Sequence, residues 1–158
     1  MPNHIVLYQP EIPWNTGNIG RSCLAANATL HLIHPLGFKI DEKGIKRAGL
    51  DYWHKVNVVE HENVDKFFES TQDTGEYYLL TRFGTKVHSS LDYSDESKDH
   101  YFIFGNETSG LPAWIKEKYK DTALRIPMHE DVRSLNLANT AILLLYEALR
   151  QQGYPNIK

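Results

Sequence analysis

Residues 101–112 read Tyr-Phe-Ile-Phe-Gly-Asn-Glu-Thr-Ser-Gly-Leu-Pro. The four apolar residues Tyr101 to Phe104 form a run of strand length, closed by a glycine. Because the run is apolar on both faces, it suits a strand covered by helices above and below, as in a parallel sheet. Gly110-Leu111-Pro112 then turns the chain into a helix expected over 113–119. The N-terminal run Ile5-Val6-Leu7-Tyr8 repeats the pattern and is followed by its own polar turn.

Together with these two runs, similar short apolar or β-branched stretches give expected strands at 4–8, 29–33, 56–60, 77–81, 101–105 and 123–126. Helices are expected at 19–27, 43–52, 64–70, 113–119 and 135–152. Strands alternating with helical stretches indicate βαβ units, so the fold class is α/β: a single domain with a mainly parallel sheet flanked by helices. The length of 158 residues suits one domain, and no Pro/Ser/Gly-rich linker or repeat divides the chain. In the last helix Ile142 to Leu145 are consecutively apolar and Ala138, Ala141, Ala148 and Leu149 widen the stripe. Such a helix is buried on more than one side, either within the domain or partly against a second subunit.

Composition narrows the function. Cys23 is the only cysteine, which excludes an internal disulfide and a multi-cysteine zinc site and fits a reducing, cytoplasmic compartment. The eight histidines form no metal-binding spacing, so no metal is expected. No run is long and apolar enough to span a membrane, and the N-terminus does not read as a secretory signal. The formal charge is −3, so the chain as a whole is not a basic nucleic-acid binder. Positive charge is local: residues 36–55 carry five bases and three acids, whereas 60–76 carry six acids and one base. The basic segment is either a solvated face or a small phosphate-contacting patch.

Three polar loops lie where an α/β sheet binds ligands, beyond the carboxyl ends of strands. In the first, Pro10 to Arg21, the residues Asn15, Gly17 and Asn18 suit positive φ and lead into a helix whose first-turn N–H groups can hold an anion. Arg21 then falls in the first helical turn, within reach of that anion; a capped helix with a surface arginine is the competing reading. The second is 105–112, where Gly105 permits close approach of a ligand or backbone and Glu107 can accept hydrogen bonds from a ligand. A plain capped βα turn is its alternative. The third is 126–139, with Ser134 as helix N-cap and with Asn136 and Asn139 as polar positions needing partners, capping being the plainer reading for one of the two. Neither a G-x-G-x-x-G nor a P-loop signature is present, and no serine sits in a nucleophile elbow. Cys23 reads as a small buried hydrophobe.

Taken together, IVLYQPEIPWNTGNIGR, GFKI…KRAGLDYW, FGNETSGLP, IPM…RSLNLANTA and RQQGYP resemble the SPOUT class of RNA methyltransferases, within it the minimal YibK/TrmL-like tRNA 2′-O-methyltransferases. The resemblance covers nearly the whole chain. It implies a carboxyl-terminal trefoil knot, a homodimer whose sites borrow residues from the neighbouring subunit, and S-adenosylmethionine as cofactor with S-adenosylhomocysteine as product. It places cofactor contacts at Leu80, Gly105, Glu107, Ile126, Ser134 and Leu135, and the catalytic set at Asn15, Arg21, Ser134 and Asn136. It implies tRNA rather than DNA as partner, methylated on the ribose 2′-OH of wobble nucleotide 34, a cytidine or modified uridine. Lys43, Lys46 and Arg47 are the candidates for the tRNA backbone. The same reaction on another tRNA position or on ribosomal RNA, a non-catalytic RNA-binding factor, and a phosphate-binding protein acting on a small metabolite are the alternatives.

Overall fold

The computed structural model describes residues 1–158 apart from Glu42 and Asp73, and leaves the side chains at 46 and 48–51 undescribed. The described residues build a seven-stranded sheet: β1 (Asn3–Tyr8), β2 (Thr29–Ile33), β3 (Val58–His61), β4 (Gly75–Leu80), β5 (Lys86–Val87), β6 (Asp99–Phe104) and β7 (Ala123–Arg125). The spatial order is β3-β2-β1-β6-β4-β7-β5, and all pairings are parallel. Helices α1 (Pro13–Ala25) and α5 (Leu137–Gln152) cover one face, and α3 (Val64–Thr71) and α4 (Ala113–Lys118) the other. Helix α2 (Lys43–Gly49) packs along α1.

The apolar runs divide as a two-sided sheet requires. Ile5, Leu7, Phe102 and Phe104 join the core under α1 and α5, whereas Val6, Tyr101 and Ile103 join the core under α3 and α4. Successive strand residues point to opposite faces, so a run without polar interruption feeds both layers. Cys23 lies in the first core as a fully buried small side chain, and burial raises the pKa of its thiol.

Six expected strands and five expected helices are present, β2 with the expected ends and the others with shifted ends, and β5, two residues long, was not anticipated. The largest departure is α1, which begins at Pro13 rather than at residue 19, so Asn15, Gly17 and Asn18 are helical. The left-handed conformation expected there falls instead on Gln9, directly after β1, and on Asn27, beyond the end of α1. Proline at the first helical position is preset for a helix, which explains the early start. Gly20 meets the Trp53 ring, to which an added Cβ would come within 2.5 Å. The helix expected over 43–52 stops at Gly49 and continues as a 3-10 turn, Leu50–Lys55. Helix α5 starts at Leu137, capped by Asn136 rather than Ser134: the Asn136 side chain accepts from the N–H of Ala138 at 2.8 Å and of Asn139 at 3.4 Å. Asn139 itself is exposed, so within one chain it is not a buried amide that the fold must satisfy.

β7 has a position with consequences for the site. Leu124 pairs with Leu80 of β4 on one side and with Lys86 of β5 on the other. Only residues 81–85 join those two strands, so this short segment arches over a face of β7. An added Cβ at Gly84 would collide with the Leu124 carbonyl, which shows how closely the arch lies on the strand.

Under α3, a buried polar chain crosses the sheet diagonally. Asp99 contacts His4 Nε2 at 3.0 Å, His4 Nδ1 contacts His31 Nε2 at 2.9 Å, and His31 Nδ1 contacts His61 Nε2 at 2.9 Å. With Asp99 as terminal acceptor, one assignment satisfies every link: three neutral imidazoles, each donating from Nε2–H toward the carboxylate. Burial lowers the pKa of all three, opposed at His4 by Asp99, and His31 is pushed down to about 3. An unfolded histidine titrates near 6.5, so the unfolded chain takes up more protons as pH falls below that value. The fold is therefore fully stabilised above about pH 6.5 and loses up to about 1.4 kcal/mol per pH unit for each such proton below it. Urea midpoints measured from pH 7.5 to 5 are expected to fall, and His31→Asn is expected to flatten that slope. An unaltered slope would assign the proton uptake to other groups.

Candidate active site

The carboxyl ends of β4, β6 and β7 lie side by side, since Leu80 pairs with both Phe104 and Leu124. The loops leaving these three strands surround a cleft of about 610 Å³, a size suited to a cofactor-sized molecule. Its walls include Leu80, Phe104, Ile126, Leu135 and Leu137, with polar groups from Asn15, Glu107, Ser134 and Asn136.

Hydrogen bonds tie the loops together. Asn106 Nδ2 donates to the Gln9 carbonyl at 2.7 Å, joining the loop after β6 to the loop after β1. The Asn106 side-chain oxygen accepts the N–H groups of Thr108 and Ser109 at 2.8 and 3.0 Å, shaping the turn. Gly105 is required here by close approach of another backbone: a Cβ would stand 2.6–2.8 Å from Gly110 and Leu111 backbone atoms. Glu107 accepts the N–H of Glu11 at 2.9 Å and of Ile12 at 3.4 Å, just ahead of α1. An anion was expected at this helix start, and the chain supplies one from its own Glu107. Each carboxylate oxygen retains acceptor capacity, since it has two lone-pair directions. Asn136 Nδ2 donates to Asn15 Oδ1 at 3.2 Å, which brings the loop after β7 onto α1.

All six expected cofactor residues, Leu80, Gly105, Glu107, Ile126, Ser134 and Leu135, border this one cleft. Asn15 and Asn136 border it too. Arg21 does not. It is the ninth residue of α1 instead of lying in its first turn, and its guanidinium sits 5.4 Å from the centre of the exposed Tyr52 ring. Lys43 and Arg47 are exposed on α2, and the Lys46 side chain lies outside the described residues. Arg82, Phe83, Lys116, Arg133 and Thr140 also border the cleft and were missed. Arg82-Phe83-Gly84 directly after an apolar strand was the available signal for the first two. Among the described residues no group of three or more His, Cys, Asp or Glu is placed to hold a metal ion, and no helix is long and apolar enough to cross a membrane.

Residues 2–146 match the model of the SpoU rRNA Methylase family. The chain belongs to that family. A Bacillus subtilis (strain 168) protein, provisionally named tRNA (cytidine(34)-2'-O)-methyltransferase, is 57% identical over 155 residues, covering 98% of this chain and 96% of that protein. The crystal structure of a provisionally assigned RNA methyltransferase from Bacillus anthracis is similar with a TM-score of 0.92 and 55% identity, covering 99% of this chain and 98% of that one. A protein solved in work on the 2-OH methylation of C/U34 on tRNA is similar with a TM-score of 0.88 and 38% identity, over 96% of each chain.

The Glu107 bridge is testable by itself. Glu107→Ala is expected to speed amide hydrogen exchange at Glu11 and Ile12 and to lower stability by about 1 kcal/mol or less. Glu107→Gln, which retains an acceptor, is expected to stay closer to the original protein; equal exchange in all three would remove the bridge from the account.

Proposed function

We propose that this chain is a cytoplasmic, S-adenosylmethionine-dependent methyltransferase that acts as a homodimer on the ribose 2′-OH of wobble nucleotide 34 of tRNA, a cytidine or modified uridine. The observation carrying the reading is the single cleft bordered by all six expected cofactor residues, in a chain 57% identical to a relative bearing the cytidine-34 name. The cleft fits the cofactor in volume and lining: apolar walls for an adenine and backbone-rich loops for its polar ends. Leu80, Gly105, Glu107, Ile126, Ser134 and Leu135 would hold it, and the group supplies an electrophilic methyl on a sulfonium.

The remaining work falls to the chain's own side chains. A neutral ribose hydroxyl is a weak nucleophile and gains from proton removal in the transition state. Arginine is a permanent cation with a fork that matches phosphate, so Arg21 serves to hold the tRNA phosphate and stabilise developing alkoxide charge rather than to take the proton. The proton leaves through phosphate or water. Asn15 and Asn136, already hydrogen-bonded to each other, and Ser134 orient the ribose. Exposed Lys43 and Arg47, with Lys46, contact the tRNA backbone.

Arg21 reaches a cleft in the dimer, as Arg21 of the partner subunit. Its absence from the lining of its own cleft supports this. So does an exposed stripe on α5, in which Ile142 and Tyr146 are 39% and 38% exposed and follow Asn139 at helical spacing. The trefoil threading belongs to the same reading and is supported by β7 lying beneath the 81–85 arch.

Two experiments test this. Nucleoside mass spectrometry of tRNA from a strain lacking the protein is expected to show the 2′-O-methyl of nucleotide 34 missing; its persistence refutes the assignment. Arg21→Ala and Asn136→Ala are each expected to lose turnover almost completely. Co-expressed, they are expected to restore about a quarter of the original activity, because half of the dimers then hold one intact composite site. No recovery would mean that Arg21 serves its own subunit.

A further inference from the structure

The arch over β7 carries an aromatic side chain that the core does not use. Its backbone is pinned: Thr81 N–H donates to the Leu124 carbonyl at 3.4 Å and Thr85 N–H to the Ala123 carbonyl at 3.1 Å. Within it, Phe83 N–H donates to Thr81 Oγ1 at 3.1 Å and Gly84 N–H to the Thr81 carbonyl at 3.4 Å. On this fixed turn the Phe83 side chain is 81% exposed, the most of any large hydrophobic residue among those described. It nonetheless borders the cleft. The Arg82 guanidinium lies 5.8 Å from the centre of its ring. Arg82, Lys116 and Arg133, all bordering the same cleft, make no ion pair among the described residues.

An apolar ring held outward on a rigid turn contributes little to folding stability. Beside a cleft edged by unpaired cations, it has the properties of a surface for a flat, uncharged ring attached to a phosphate backbone. Unstacked bases are held in this way, on aromatic rings and guanidinium planes, with cations on the phosphates. We propose that Phe83, supported by Arg82, is the platform on which the base of the target nucleotide stacks while its ribose enters the cleft. This rests on the tRNA reading above and deepens it by naming a group that positions the substrate. Stacking tolerates any base because each has a π face, so the platform holds cytidine and modified uridine alike and leaves selection between them to other contacts.

The test uses the full-length protein and a synthetic tRNA anticodon stem-loop carrying C34. Phe83→Ala and Phe83→Leu are expected to raise KM for the stem-loop roughly five- to hundredfold, the range of one base–aromatic stack. Phe83→Tyr is expected to remain near the original value. The dissociation constant for S-adenosylmethionine and the thermal midpoint are expected to be unchanged in all three. An unchanged KM in Phe83→Ala overturns the platform, as does a matching loss of S-adenosylmethionine affinity, which would put the ring against the methyl donor. Rescue by Leu equal to that by Tyr also overturns it, because apolar packing would then suffice. If the original protein leaves nucleotide 34 of the stem-loop unmethylated, the tRNA reading and the platform fall together; if it methylates normally and Phe83→Ala matches it, the platform alone falls.

Discussion

The insertion of β7 between β4 and β5 is the constraint on which the site depends. A parallel connection ordinarily needs a dozen or more residues to return to the sheet, yet here residues 81–85 step over a strand that occupies the intervening place. That placement sets Leu80, Phe104 and Leu124 side by side. The loops beyond them then have nowhere to go except around a common cleft. Without β7 in that slot, the loop carrying Ile126, Ser134 and Asn136 would have no reason to meet the loop carrying Gly105 and Glu107.

The cleft is held by polar contacts placed where the backbone would otherwise be left unsatisfied. Glu107 answers the N–H groups ahead of α1, Asn136 caps α5 while reaching Asn15, and Asn106 both shapes its own turn and holds the Gln9 carbonyl. Each of these side chains serves the fold and lines the cleft together. Local stability and cleft geometry are thus coupled, and a substitution that loosens a loop end also moves a cleft wall. The apolar layers beneath are independent of this: they follow from strands whose alternate residues feed the two cores.

Much of this is legible in the sequence. The unbroken runs Ile5 to Tyr8 and Tyr101 to Phe104 announced a sheet covered on both faces, and the polar loops after β1, β6 and β7 were recognisable because their compositions exceed what packing needs. Helix starts were less legible. Asn15, Gly17 and Asn18 have the composition of a turn, but Pro13 and the Glu107 bridge draw them into α1. Ser134 looked like the cap of α5 because serine is a good cap, and Asn136 took the position two residues later because its amide also finds Asn15. The short β5 lacked any periodicity to read, since two residues cannot display one.

The α/β class, the two-sided burial of the central strands, the three polar loops and, through its motifs, the family are all written in the order of residues. These are properties of composition over neighbouring residues, where period and turn chemistry operate. That the ends of β4, β6 and β7 meet, that Arg21 stands beside Tyr52 rather than in the cleft of its own chain, and that Phe83 faces outward at the cleft's edge follow only from long-range packing. Those outcomes depend on which strands lie beside which, and a chain written in one dimension carries no local mark of a partner forty residues away.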